Sequence, residues 1–307
     1  MRTGNRVALV AALALAVASC GSDGSTTTID RTTSTVPETT ISLTAPATTT
    51  TISSTSTSAA TAGRTVYFLL DEVGGSSGVG PFLVPVYREG PESDDAASDA
   101  VELLLAGPTA GEMAGTPAMH TAIPEGTSLL GLSVDDGVAT VDLSAEFDDG
   151  GGSAGMFARL AQVVFTVTRA TGVDEVTFEL ASEPVAVFSS EGIELSRPQI
   201  RSDYYDWLPA IFVDMPAWGE PVTSPIEVQG LSNVFEAVSQ IMLTDDDGLP
   251  LFENAVMASC GTGCWGDWEA SIPYEVDRHQ VGALIVWEYS AKDGSRVNIR
   301  EYPLLLR

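Results

Sequence analysis

The stretch GVATVDLSAEFDDGGGS, residues 137–153, sets Asp142, Ser144 and Glu146 on alternate positions of an otherwise apolar run. Two chemistries would use such a set. A serine nucleophile needs an adjacent base to take its proton. A carboxylate pair can divide acid and base roles only if one member sits in an apolar pocket that raises its pKa. Neither requirement is met by the residues around it. His120 is the only histidine before residue 205, and no G-x-S-x-G elbow precedes a helix. Glu146, Asp148 and Asp149 adjoin three glycines and a serine, the composition of a solvated loop. The alternation itself has a simpler meaning. It puts Val138, Thr140, Asp142 and Ser144 on one face and Ala139, Val141, Leu143 and Ala145 on the other, which is apolar enough to be the core face of a strand. Asp142 and Ser144 are then expected at a strand end, capping the nearby loop and the following helix.

Other clusters invite chemistry and meet similar objections. Gly75, Gly78 and Gly80 lie in DEVGGSSGVG, but their order is not G-x-G-x-x-G, and a strand pattern follows where a phosphate-binding loop needs a helix. DDDG, 245–248, lacks the alternating acids and distal Glu of a calcium loop and is expected to be a hairpin turn. Cys260 and Cys264 could in principle hold zinc, yet His120 and His279 are the only histidines available to complete a site. A redox role would call for C-x-x-C spacing within a thioredoxin-like pattern. A structural disulfide is expected instead, with Gly261 and Gly263 allowing the short loop to bend, and it contributes roughly 2 kcal/mol in the loop-entropy model. Trp265 and Trp268 beside it have two readings: a binding surface, or packing of the fold and its loop. No metal and no cofactor are expected.

The elements that must position these residues fall into two groups. Strands are predicted at 64–70 and 81–87, then a helix over 94–106 with Val101, Leu104 and Leu105 on one face and Ser93 or Asp94 as cap. Two strands, 127–134 and 138–144, flank the hairpin turn Asp135–Gly137. A helix over 154–172 carries Met156, Phe157, Leu160, Val163, Val164 and Val167 as one stripe, and a strand follows at 173–180. Strands mixed with two helices make an α+β (or α/β) domain over 64–205. From 208 to 307 the pattern changes to seven short strands: 210–215, 226–230, 236–244, 249–258, 268–273, 283–290 and 296–305. That is the arithmetic of an immunoglobulin-like sandwich.

The N-terminus is of another kind. Arg2 and Arg6 precede a 12-residue apolar run, 7–18, shorter than the roughly 20 residues needed to cross a bilayer but suited to a signal-peptide core. Residues 25–62 hold 23 Ser or Thr among 38 residues and only three charges. Such a segment buries too little apolar surface to offset its chain entropy and is expected to be a disordered stalk, spanning roughly 35 Å as a coil. Charge also separates the parts. The whole chain has 42 acidic and 14 basic residues among 307. Setting aside four arginines and three acids in residues 1–65 leaves 39 acidic and 10 basic residues, a formal charge of −29. A body so charged repels phosphate backbones and anionic headgroups, which excludes nucleic acid as a partner.

Three resemblances follow from these residues. VASC, 17–20, resembles the lipobox of bacterial lipoproteins, which implies a lipoprotein signal peptide over 1–19 and lipidation of Cys20, with a linker over 20–63. ELLLAGPT, TAIPEGTSLLGL, DGVATVDLSAEF, GGGS and RLAQVVFTVT resemble, in order and spacing, the GerMN domain of spore germination proteins. PAWGEPVTSPIEVQGLSNVFEA and GALIVWEYSAKDGSRVNIREYPLLL resemble the immunoglobulin-like domain found beside it. The resemblances imply a membrane-anchored, extracytoplasmic envelope protein with no established catalytic residues. It would be a binding or scaffold module for an envelope protein or peptidoglycan, attached to the membrane by its lipid, with no small-molecule substrate identified. The competing reading is a wall-remodelling hydrolase or an accessory to one. Sporulation itself does not follow.

Overall fold

The computed structural model describes residues 61–71, 80–189 and 192–307. The expected leader, Cys20, the linker up to residue 60 and the core of the glycine loop, 72–79, lie outside the described residues. The described residues fall within one compact unit.

The N-terminal part opens with a long hairpin, β1 (Thr61–Leu70) and β2 (Phe82–Pro91), paired antiparallel along its whole length. Residues 61–63, expected to close the linker, are therefore strand. Next come α1 (Ala96–Leu105), the single turn α2 (Ala110–Met113) and the two-residue β3 (Met119–His120), which pairs with the end of β1. α1 is capped by Asp95, whose carboxylate accepts from the Ser98 amide at 3.1 Å, one or two residues later than the sequence suggests. A second sheet holds β4 (Leu129–Asp135), β5 (Val138–Leu143), β6 (Glu175–Leu180) and β7 (Glu183–Pro184). β4 and β5 form the expected hairpin, with Asp136 and Gly137 at φ 48° and 83°, the left-handed pair a tight turn needs. α3 (Ser153–Thr171) crosses from β5 to its parallel neighbour β6 and ends at Gly172, φ 73°. β8 (Val187–Phe188) and β9 (Ile193–Glu194) make a small hairpin.

The stripe expected along α3 is corrected in two ways. Phe157 is 40% exposed, whereas Arg159, Gln162, Thr166 and Thr168 are buried. The helix is enclosed by β1, α1 and the second sheet, so polar positions have to be satisfied internally. β3 covers only the end of β1, which leaves the Tyr67 peptide facing α3. Gln162 Nε2 donates to the Tyr67 carbonyl at 2.9 Å, and Thr166 Oγ1 accepts from its amide at 3.2 Å. Two helix side chains thus do the work of a missing strand.

The C-terminal part is a two-sheet sandwich. β10 (Ile211–Met215), β12 (Ile226–Ser232) and β15 (Gly266–Ile272) form one sheet in the order β10-β12-β15. The other holds β11 (Pro221–Val222), β17 (Arg296–Leu306), β16 (Gln280–Tyr289), β13 (Val238–Thr244) and β14 (Pro250–Met257), in the order β11-β17-β16-β13-β14. All seven expected strands are present with shifted ends, and β11 is the addition. Ile241, Leu284, Val286 and Tyr302 fill the space between sheets. DDDG is a turn in which Asp245 accepts from the amides of Asp247 and Leu249 at 3.0 and 2.7 Å.

Arg159 is the charge buried deepest in α3, at 3% exposure. It donates to the carbonyls of Phe147 at 2.5 Å, Asp149 at 3.1 Å and Gly150 at 3.0 Å, and so pins the loop that enters the helix. Arg159→Met keeps the stem but leaves those carbonyls without their donor. A loss of roughly 2–3 kcal/mol is expected. In urea, the unfolding midpoint should fall with the slope unchanged; a midpoint equal to wild type would refute this role.

Candidate functional site

The residues that opened the sequence question resolve into loop anchors. Asp142 accepts from the Ser182 amide at 3.0 Å and its hydroxyl at 2.9 Å, and Ser144 Oγ accepts from the Ser128 amide at 3.0 Å. They cap neighbouring loops across the sheet. The following helix takes no side-chain cap, since its N-cap is Gly152. His120 pairs with Asp71 at 3.0 Å, and both side chains are about half exposed.

The polar constellation the structure does build is one that the sequence left unmarked. The end of the first expected domain and the short gap after it form a 3₁₀ turn, residues Arg201–Trp207, which is tied to the N-terminal part through Gln199. Its backbone exchanges two hydrogen bonds with Val176, at 2.9 and 2.7 Å. From this turn Arg201 reaches into the seam. Its guanidinium lies over the Phe165 ring, 4.7 Å from the centroid, and 5.4 Å from that of Tyr67. It donates to Asp214 Oδ2 at 2.8 Å, to Thr168 Oγ1 at 2.7 Å, to the Phe165 carbonyl at 3.1 Å and to the Tyr67 hydroxyl at 3.3 Å. The Tyr67 phenol in turn donates to Asp214 Oδ1 at 2.5 Å. Phe212 of β10 completes the seam, edge-on to Phe165 at 6.0 Å and tilted against Tyr67 at 6.5 Å.

Electrostatics keep Arg201 and Tyr67 each in one protonation state. Burial opposes the Arg201 charge, but the Tyr67 and Asp214 oxygens outweigh it, and its pKa is raised. Burial, and next the Asp214 charge, push the Tyr67 pKa up, so the phenol stays a donor. Neither Arg201 nor Tyr67 is poised to exchange a proton near neutrality. The set is a clamp between β1, α3 and β10. A second contact lies along the seam: the Trp218 peptide exchanges hydrogen bonds with Tyr87 at 2.9 Å and Pro85 at 2.8 Å, adding one bridge to the free edge of β2.

Beside the clamp opens a cleft of about 750 Å³. Arg201, Asp214 and Tyr205 form its inner wall; Leu231, Met257, Ser259, Asp267 and Glu269 line the rest. Ser259 donates to Asp267 at 2.5 Å and holds that carboxyl below its ordinary pKa.

Of the expected site residues, Trp268 lines this cleft. Cys260 and Cys264 are joined in a disulfide with Cα atoms 5.9 Å apart. The loop it closes is docked by the Thr262 amide on the Val234 carbonyl and the Gly263 amide on Asn233 Oδ1, both at 2.8 Å. Gly261 is required by close approach, because a Cβ there would meet the backbone of Ala237. Trp265 packs on Tyr205 with ring centroids 5.5 Å apart. Trp268 is 4% exposed, its ring over Gly230. The two tryptophans do not form one exposed binding surface, because strand alternation turns Trp268 inward. Apart from Trp268, which the sequence singled out, the residues that line the cleft gave no sequence signal. Arg201, Tyr67 and Asp214 are spaced by 134 and 13 positions and share no local pattern.

Residues 65–186 match the family Germane, described as sporulation and spore germination. Residues 210–295 match Gmad2, the immunoglobulin-like domain of bacterial spore germination. The chain carries a GerMN-type domain followed by a spore-germination immunoglobulin-like domain. The clamp is therefore a junction between the GerMN-type domain and its immunoglobulin-like neighbour, with Arg201 falling between the two matched segments. Among solved structures, the first GerMN domain of the sporulation protein GerM from Bacillus subtilis is similar at 20% identity over 46% of this chain and 99% of that one, with a TM-score of 0.38. The tandem GerMN domains of the same protein align at 16% identity over 70% of this chain and 62% of theirs, TM-score 0.38. A putative lipoprotein from Clostridium perfringens aligns at 17% identity over 47% of this chain and 89% of its own, TM-score 0.31. No curated protein matches the chain.

Replacing Arg201 tests the junction. Arg201→Met leaves Asp214 with an uncompensated charge and is expected to lose roughly 2–4 kcal/mol. Arg201→Lys keeps the charge but not the planar fork, and should recover less than half of that loss. The wild type is expected to unfold in urea in one transition, followed by tryptophan fluorescence and far-ultraviolet circular dichroism. In Arg201→Met the two probes should separate, because the domains no longer unfold together. Coincident transitions in the variant would contradict the clamp.

Proposed function

We propose that this is an envelope lipoprotein, anchored in the membrane through Cys20, whose folded part is a non-catalytic binding or scaffold module for a protein partner or the cell wall. The observation that carries the reading is the clamp. Arg201 joins the GerMN-type and immunoglobulin-like domains across a shared seam while leaving a cleft open beside it. A module that must present one continuous surface gains from such a junction, whereas domains that interact weakly reorient by default. The carboxylates support the same reading. The shifts resolved among the described residues hold Asp95, Glu112, Glu146, Asp203, Asp267 and Asp293 below their ordinary values. For Asp203 the leading cause is the Arg197 hydrogen bond, and for Asp267 the Ser259 hydroxyl. A wall glycosidase working through a carboxyl acid needs the reverse, a carboxyl raised toward neutrality. The two matched families are described by sporulation and germination, not by a reaction.

The anchor is tested by phase partition. Wild-type protein is expected in the detergent phase and Cys20→Ala in the aqueous phase; equal partition would remove lipidation from the proposal. The target is tested by co-sedimentation of the full-length protein with isolated sacculi at low and moderate salt. Salt-resistant pelleting identifies the wall as the target. A supernatant protein that cross-links to an envelope protein in intact cells identifies a protein partner. Release of soluble wall fragments during the incubation would overturn the non-catalytic reading.

A further inference from the structure

Where the sheet β10-β12-β15 runs past the clamp, its outer side stays uncovered, and three observations meet there. The first is a strand edge left open beyond Asp267, whose own peptide is taken by Ser259. β15 has β12 on one side only. The Asp267 peptide faces the other way, since its carbonyl accepts from the Ser259 amide at 2.9 Å and its amide donates to Ser259 Oγ at 3.2 Å. Peptide direction alternates with period two along an antiparallel strand, so the Glu269 and Ser271 peptides point outward as well. Both residues are exposed.

The second observation is charge. Exposed Glu227, Asp267 and Glu269 lie on the outer face of β12 and β15, paired by register as Glu227 with Ser271 and Gln229 with Glu269. Among the described residues lining the cleft the one cation is Arg201, which is committed to Asp214. The third is apolar footing: Leu231, Tyr205 and the 73% exposed Met257 line the same cleft.

We propose that this edge and cleft receive an extended basic segment of a partner polypeptide, added as a further strand on β15. Main-chain hydrogen bonds to the Glu269 and Ser271 peptides would supply affinity. Lys or Arg at alternate positions, facing Glu227, Asp267 and Glu269, would supply specificity. The formal charge of the body, −29, favours encounter with such a segment. The inference rests on the scaffold reading above and names the chemistry of its partner.

The test uses the full-length protein in mild detergent and a fluorescent peptide, Thr-Lys-Val-Lys-Val-Lys-Thr, followed by anisotropy. Three controls accompany it: the peptide with Glu for each Lys, and two versions N-methylated on one or the other set of alternate amides. Binding is expected for the basic peptide. It should weaken by at least about tenfold, or roughly 1.4 kcal/mol, with the acidic peptide, with one of the two methylated forms and with Glu269→Lys protein. Glu269 is exposed, so that variant should fold normally, which its circular dichroism checks. No binding of the basic peptide, equal binding of both methylated forms, or Glu269→Lys affinity within twofold of wild type would each overturn the proposal. If the peptide fails while sacculi or an envelope partner are still bound, only this inference falls; if all three fail, the scaffold reading falls with it.

Discussion

Arg201 has to be stacked, paired and fully hydrogen-bonded in one place, and the relation between the domains depends on that requirement. A guanidinium removed from water is costly unless its donors are matched. Here Asp214, Thr168, the Phe165 carbonyl and the Tyr67 hydroxyl each take part. These partners belong to β10, α3 and β1, so the charge is satisfied only when both domains are folded and apposed. The same arginine stacks on two aromatic rings, which gives it geometric definition that a lysine lacks. A flexible tether between the domains would forfeit all of this.

The constraint propagates inward. For Tyr67 to face the seam, β1 must hold it in register, yet β3 covers only the end of that strand. Gln162 and Thr166 supply the missing partners from α3. This is why a helix that presents an apolar stripe also carries buried polar residues. Each has an assigned backbone partner: Gln162 and Thr166 meet the Tyr67 peptide, Thr168 bonds to Val164 and accepts from Arg201, and Arg159 holds the entering loop. The helix acts as a hub: one side secures the strand that holds Tyr67, and the next turn receives Arg201. Outward, the far side of β12 and β15 stays uncovered, with Glu227, Gln229, Asp267, Glu269 and Ser271 exposed.

Much of the fold was legible in local pattern. Alternation located the strands to within a few residues, and the Asp136-Gly137 turn and the Gly172 stop followed from the need for positive φ. The Asp142, Ser144 cluster was legible as a strand end, although its side-chain hydrogen bonds reach Ser182, Ser128 and Glu146 rather than the start of α3. What failed was any inference requiring the environment of a side chain. Phe157 fits the stripe by period but lies beyond the helix's neighbours, and Trp268 sits beside Trp265 in sequence but turns inward.

By itself the sequence determined the fold class, the strand and helix order, the acidic body and the pairing options of Cys260 and Cys264, because each depends on spacing along the chain or on composition. The tertiary structure alone decided the clamp and the cleft. Arg201, Tyr67, Asp214 and Phe165 come from four separate elements, and Tyr205, Met257 and Glu269 from three. Periodicity reports which face of an element is buried; it carries no information about which distant face will be laid against it.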